Sequence, residues 1–534
     1  MQEAKGQKIL IWAVAIFILA FLLRFLHIES ILTGSPFFDV LPGDLGGYDR
    51  WATRIVEQGW MGKEVFYQDP LYPYFLAVLY KTVGRDFFWI YTVQAFLGGC
   101  TALLLVLLGN KIFSRMAGIL AGLLFAFYAP AIYFDGLLLK VTLSAFLFTL
   151  AIYLFLNKDL AEAGPGQYFA GFFLGLACLT RANFLLIFPV VLIALLINPN
   201  AVLRKRFAMM VLFLAGAMTA LGPVAARNYA VGNELVLTTA QAGQNFYIGH
   251  NPDANGTYIK LSFVRPDPLH EQDDFRKEAE KRSGRALSSS EVSRYWLNQS
   301  IEYIQTNPFA DLKLTGKKLL LFLNNYEIPD NHNFYFHQRY SRILQVLPVN
   351  FGIVAPFFLL GLLGMLFVKR TSVVFLSFVQ IFYITSVCIF YVFSRYRMPV
   401  LPLFCLTAGY GFFVLQSQLR MGQWRRLVVS FVILGLGWGI AHHQVIKPFD
   451  FSHSYTDEGI AYETKDDEQG ALTSYIQALE INPKYLRALD RLAKLQMKRK
   501  DYNEARATYK KILTIEPDSV EAKYQLMWLE KEGL

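Results

Sequence analysis

Charge is scarce in this sequence. Only 17% of its 534 residues are Asp, Glu, Lys or Arg, against roughly 25% in ordinary globular domains. Cysteine is scarcer still: Cys100, Cys178, Cys388 and Cys405 all lie in apolar runs. They lack metal-type spacing, so they read as small buried hydrophobes. No glycine-rich phosphate loop follows a strand, and no Walker pattern occurs, which argues against a nucleotide-using site. The net charge of +10 does not indicate a nucleic-acid partner, because much of the basic excess sits in short loops beside apolar runs, the membrane pattern.

Hydrophobic residues make up 54% of the chain and aromatics 16%. A membrane-spanning helix needs about 20 mainly apolar residues. Runs near 9–27, 87–109, 116–134, 137–157, 167–180, 183–198, 207–226, 349–368, 372–393, 399–416 and 426–442 answer that description, the pair around Arg181 being short. The first run is long, has no small-residue cleavage site and keeps Arg24 near its end, so it reads as an anchor rather than a signal peptide.

Placing the N-terminus in the cytoplasm puts Lys5, Lys8, Lys111, Arg115, Lys158, Arg204, Lys205, Arg206, Lys369, Arg370, Arg420, Arg425 and Arg426 in short cytoplasmic connections, as the positive-inside rule requires. The polar segments 28–86 and 227–348 then face outward, as does the C-terminal segment. The expectation is a multi-pass protein of a bacterial inner membrane with periplasmic loops. Its parts would be residues 1–226 with the first outer loop, a large periplasmic loop over 227–348, further transmembrane helices over 349–443, and a soluble tail from 453 to 534.

That tail repeats itself. Ala471, Tyr475, Leu479 and Pro483 recur 34 residues later as Ala505, Tyr509, Leu513 and Pro517, the period of the tetratricopeptide helix–turn–helix unit. Such repeats stack into a concave surface for a partner; a cap shielding the outer region is the other reading.

The outward segments hold more acids, amides and cations than linkers need. Asp44 stands among glycines and is followed by Tyr48 and Asp49; Gln68, Asp69 and Tyr72 come later in the same loop. Pro70 suits a helix start, which would make Asp69 a cap. Asp135 precedes Lys140, which is expected about a turn inside an apolar helix, where an ionisable residue implies function unless it snorkels to the interface. Arg181, Arg227, Arg395 and Arg397 all fall on the outer side against the positive-inside trend. Cations so placed suit an anionic ligand, a lipid phosphate above all. In the large loop, Asn245 lies in a stretch of amides and aromatics, as does Glu327, and His250 reads as a hydrogen-bonded loop histidine. Polar machinery on the outer side cannot draw on cytosolic nucleotides, so any activated group has to arrive on a lipid.

Several motifs resemble a known family. Asp44-Leu45-Gly46-Gly47-Tyr48, then Asp69-Pro70-Leu71-Tyr72-Pro73, is similar to the first outer loop of GT-C membrane glycosyltransferases. The branch with dolichyl-phosphate-mannose protein mannosyltransferases and the lipid A aminoarabinose transferase is the nearest resemblance. Arg181-Ala182-Asn183 and Arg395-Tyr396-Arg397-Met398-Pro399 resemble its Arg-Pro-Asn and late Arg-x-Pro segments, and the segments around Asn245 and Glu327 resemble outer-loop features of members ending in tetratricopeptide repeats. The resemblance implies an all-α bundle of about 11–13 transmembrane helices. It also implies inverting transfer of a sugar from a polyprenyl-phosphate donor to a protein, lipid or glycan. Asp44 would be the base, with Asp39 and Asp49 as alternatives. Lys140, Arg181 and Arg397, then Arg395 and Arg227, would bind the donor phosphate. Asp69 and Asp135 would position acceptor or sugar, or share a divalent cation, and Tyr48, Asp49, Gln68, Tyr72, Asn245 and Glu327 would line the acceptor and sugar site. An oligosaccharyltransferase or polymerase using diphosphate-linked glycans is a rival, as is a transporter or scaffold. A transporter would be expected to show matched, broken membrane halves, and none is visible in the sequence.

Overall fold

The computed structural model describes residues 2–157, 164–265 and 270–533; Lys158 and the side chain of Lys5 lie outside the described part. The fold is all-α, with no strand among the described residues. Each of the apolar runs read from the sequence becomes helical. Five are long and apolar enough to cross a bilayer unaided: Gln7–Gly34, Phe87–Ile112, Leu203–Gly232, Thr371–Cys388 and Trp424–His442. Arg115–Ala126, Val141–Leu156, Ala182–Leu196 and Phe351–Met365 are shorter apolar helices.

Two expectations need correction. The run 116–134 is not one helix: it breaks at Phe127–Tyr128, between Arg115–Ala126 and Ala129–Asp135. There Tyr128 pairs as an isolated bridge with Val349, and Ala129 N–H donates to the Val349 carbonyl at 3.1 Å. Pro130, just inside the second piece, fits such a start, since a proline N–H is not missed in a first turn. Lys140 is likewise not inside a helix but directly ahead of Val141–Asn157.

The turn that carries Lys140 is fixed from below. Gln94, fully buried in the helix Phe87–Ile112, donates to the carbonyls of Asp135 (2.8 Å) and Leu137 (2.9 Å) and accepts from the Tyr72 hydroxyl (2.8 Å). Beneath it, Arg24 is fully buried and donates to Asp135 at 2.5 Å and to the Ala20 carbonyl at 3.1 Å. Asp135 also accepts from Thr142. Removing one partner of a buried pair leaves an uncompensated charge and costs about 3–5 kcal/mol. Arg24→Met is therefore expected to lower the yield of folded protein, as measured by monodisperse recovery in detergent.

Basic residues gather in the short turns between helices. Lys111, Arg115, Arg204, Lys205, Arg206, Lys369, Arg370, Arg420 and Arg425 lie at one set of ends or in the short turns joining them. The opposite ends carry the long segments 35–86 and 233–350.

The repeat tail forms five helices: Ser452–Thr464, Glu468–Ile481, Leu486–Lys498, Tyr502–Ile515 and Val520–Lys531. Ala471, Tyr475, Ala505 and Tyr509, residues that repeat in the sequence, are buried where helices pack. The tail sits directly on the membrane body. Phe336 packs on Phe451 and Tyr455 (ring centroids 5.6 and 4.9 Å), Glu458 accepts from Arg339 and Tyr340, and Lys465 pairs with Asp39 at 2.8 Å.

Candidate active site

A cavity of about 520 Å³ opens where the long segments meet the helix ends, a size typical of small-molecule sites. Its walls come from widely separated parts of the chain, among them Asp44, Tyr48, Gln68 and Asp69, Lys140, Arg181 to Asn183, Asn245, Tyr258 and Glu271, Asp330, Tyr391 and Arg395, and His453 and Ser454.

Asp44 begins the helix Asp44–Gln58, where a carboxylate is favoured by the unpaired N–H groups of the first turn. Gly43 before it has φ +59°, and a Cβ there would meet the Asn331 side chain at 3.2 Å. Glycine thus lets the first loop turn sharply against the segment holding Asp330. Arg395, in the short helix Ser394–Arg397, bridges the two acids: one terminal nitrogen reaches Asp44 at 2.6 Å and the other pairs with Asp330. Burial pushes both carboxyls up, and the guanidinium pulls against it. In Asp44 the guanidinium prevails and holds the group below the usual carboxylate range. In Asp330 burial prevails and lifts it to about 6.

Two further cations complete this pole. Lys140 pairs with Asp69, so Asp69 is not the cap of the following helix, which starts at Leu71 without a side-chain cap bond. Arg181 ends the helix Pro165–Thr180, donates to the Arg395 carbonyl at 3.2 Å and lies over the Tyr396 ring at 4.6 Å. Asn183 donates to Ser386 at 2.9 Å, tying this turn to the helix Thr371–Cys388. Among the described residues, the Nε atoms of both Arg181 and Arg395 are buried without a hydrogen-bond partner, as is Asp69 Oδ1. Three cations, Lys140, Arg181 and Arg395, converging on one cavity suit an anionic ligand.

The other pole is amide and phenol. Asn245 accepts from Tyr391 at 2.9 Å, and Glu271 accepts from Tyr67 (3.2 Å) and Tyr258 (3.1 Å). Burial raises the Glu271 carboxyl. A third wall comes from the start of the repeat region, where His453 is hydrogen-bonded to Tyr485 at 3.0 Å and Ser454 lies beside it.

Of the residues expected at the site, the structure brings Asp44, Tyr48, Gln68, Asp69, Lys140, Arg181, Asn245 and Arg395 together. It does not bring the others. Arg397, two residues from Arg395, turns away: it donates to the carbonyls of Phe322 (3.0 Å) and Asn324 (2.6 Å), pairs with Glu327 at 2.6 Å and stacks on Phe351. Glu327 in turn accepts from Tyr128 at 3.0 Å. Arg227 donates to the carbonyls of Met61 and Glu64 and lies 3.8 Å from the Phe66 centroid. Asp49 is held by Arg85 (2.8 and 2.9 Å) and Tyr80 (2.8 Å), Asp39 by Lys465, Asp135 by Arg24, and Tyr72 by Gln94. Asp69 and Asp135 are each matched to a different cation rather than sharing an ion, and no group of three His, Cys, Asp or Glu side chains among the described residues is placed to hold a metal. Sequence reasoning missed Asp330, Glu271, Tyr258 and His453. Only Asp330 had a signal, lying close after Glu327 in the large loop.

Comparison with known proteins bears on the same stretch of chain. Residues 68–226 match the dolichyl-phosphate-mannose-protein mannosyltransferase family. The matched segment includes Gln68, Asp69, Lys140 and Arg181. Residues 465–527 match the tetratricopeptide repeat. No curated protein sequence matches the chain. Similar solved structures include the oligosaccharyltransferase AglB from Archaeoglobus fulgidus in complex with an inhibitory peptide and a dolichol-phosphate (13% identity, TM-score 0.45, covering 86% of this chain and 59% of that one). ArnT from Cupriavidus metallidurans bound to undecaprenyl phosphate is another (13% identity, TM-score 0.47, covering 91% and 74%). The chain thus spans little more than half the length of the archaeal enzyme.

Proposed function

We propose that the cavity transfers a sugar from a polyprenyl-phosphate carrier to an acceptor, with inversion, at the periplasmic face of a bacterial inner membrane. The observation that carries this reading is the convergence of Lys140, Arg181 and Arg395 on one cavity that the carboxylate of Asp44 also lines. The mannosyltransferase match over residues 68–226 supports it.

In this reading the carrier phosphate rests on Lys140, Arg181 and Arg395 and the sugar extends toward Asn245 and Glu271. Asp44 takes the proton of the acceptor's hydroxyl or amine. The freed electron pair attacks the anomeric carbon from the face opposite the phosphate, the bond from that carbon to the phosphate oxygen breaks, and its electrons pass to the carrier phosphate. Fixed cations stabilise that charge as it grows, often the largest single catalytic contribution. The repeat helices serve a protein partner or acceptor.

Incubating the purified chain with a panel of polyprenyl-phosphate sugars tests this reading. Release of carrier phosphate from at least one donor is expected, and release from none overturns it. Lys140→Met is expected to raise the donor KM about tenfold or more, since a charge-assisted contact of about 1.5–3 kcal/mol is lost; an unchanged KM removes Lys140 from the phosphate site. Orientation has its own check. Cysteines introduced at the exposed helical positions Gln58 and Lys281 should react with a membrane-impermeant maleimide from the periplasmic side of intact spheroplasts, and protection there places the cavity on the wrong face.

A further inference from the structure

The cations of this cavity are not idle before a ligand arrives. Lys140 is paired with Asp69, and Arg395 is shared between Asp44 and Asp330. Arg181 differs, for it touches a carbonyl and an aromatic face and, among the described residues, pairs with no carboxylate. An entering phosphate can therefore use Arg181 at once but has to compete for Arg395. The competition is direct, because the two terminal nitrogens of Arg395 are those already committed to the acids, leaving only its buried Nε unused. A phosphate is best held by two parallel N–H groups of one guanidinium, which requires at least one terminal nitrogen to let go.

Resting on the function proposed above, we infer that Arg395 is an exchangeable counter-ion. It covers Asp44 and Asp330 while the cavity is empty and transfers to the carrier phosphate when donor binds. The base is thereby uncovered only in the donor complex. While Arg395 grips Asp44, that carboxylate is a poor proton acceptor. Once the guanidinium leaves, Asp44 and Asp330 face each other without their shared cation, and two neighbouring carboxylates hold a proton more readily than either does alone. Asp44 then accepts the proton from the acceptor's O–H or N–H. The electrons of the cleaved sugar–phosphate bond go to the oxygen that Arg395 now holds. Asp330 is a positioning residue: it never touches the reacting atoms but sets the basicity of Asp44 and the return site of Arg395.

The plainer alternative is that Arg395 is a permanent strap tying the first loop to the segment at Asp330. Equilibrium binding of undecaprenyl phosphate to the full-length chain in detergent separates the two. Exchange predicts that Asp44→Asn and Asp330→Asn each bind this probe at least about threefold tighter than wild type, because a competitor for Arg395 is gone. Arg395→Gln should bind about tenfold or more weakly. A strap predicts unchanged or weaker binding for both Asn variants, and that result overturns the inference. Simple removal of a negative charge near the phosphate could also strengthen binding, so the Asp44→Asn gain is measured again in the Arg395→Gln background. Interacting side chains reveal themselves by non-additivity: exchange predicts that the gain vanishes there, and a gain of equal size contradicts it. Two separate Asn variants guard against one misfolding. Absence of any binding by the wild-type chain overturns the proposed function itself, whereas wild-type binding with no Asn effect overturns only the exchange.

Discussion

Asp44→Asn is expected to lower sugar transfer by about 10²–10⁴-fold, the range associated with loss of a well-placed general base, while the protein folds and retains the carrier. Asparagine keeps the shape and one hydrogen-bond acceptor for Arg395, so the loop and the helix Asp44–Gln58 should stand. The other acids of the first loop provide the contrast. Asp49 is locked by Arg85 and Tyr80, and Asp39 by Lys465, and neither lines the cavity. Asp39→Asn should leave transfer within about twofold, since exposed ion pairs contribute only about 0–1 kcal/mol. Initial-rate assays with saturating donor check both; a fully active Asp44→Asn enzyme removes Asp44 from the chemistry.

Arg397→Met should fail in a different way from Arg395→Gln, although the residues are two apart. Arg397 is almost wholly buried and ties together Glu327, the carbonyls of Phe322 and Asn324, and the Phe351 ring. Its loss strands the Glu327 carboxylate in the interior, which costs about 3–5 kcal/mol. The expected result is early loss of monodisperse protein on heating in detergent. Arg395 faces the cavity, where water can reach the acids it leaves behind, so Arg395→Gln should keep most of its thermal stability and lose donor binding. Equal melting of Arg397→Met and wild type would show that this inner latch is dispensable.

That contrast also shows what the sequence could reveal. Apolar run length made the spanning helices visible, because the hydrocarbon thickness sets a minimum that few soluble helices meet. The 34-residue period exposed the repeats, because the same buried positions recur in each unit. Of the cations set apart from the basic short turns, Lys140, Arg181 and Arg395 line the cavity, and Arg227 and Arg397 do not. What the pattern could not supply was rotation about an axis. Arg395 and Arg397 read alike in a string, yet one short helix sends them to opposite sides. Asp69 read as a cap because its proline neighbour suits a helix start, but the cation that claims it lies 71 positions away. Asp330, Glu271 and His453 join the site only through tertiary packing, with no local motif to mark them. The break at Phe127–Tyr128 had a local trace in Pro130, which cannot continue a helix from the residues before it, but its backbone partner at Val349 is remote in sequence.

The repeats are built into the site rather than attached to it. Phe449 and Asp450 precede the first repeat helix and, with His453 and Ser454, form one wall of the cavity, while the Phe336 cluster and the Glu458 contacts fix that helix to the body. A partner held by the repeats would therefore be held close to the reacting centre.

The most direct measurement is an electron-density map of the full-length protein with undecaprenyl phosphate added. The account predicts a phosphate within about 3 Å of Lys140, Arg181 and Arg395, the separation of charge-assisted hydrogen bonds. Phosphate density anywhere else, with these three cations still paired only to protein groups, would contradict it.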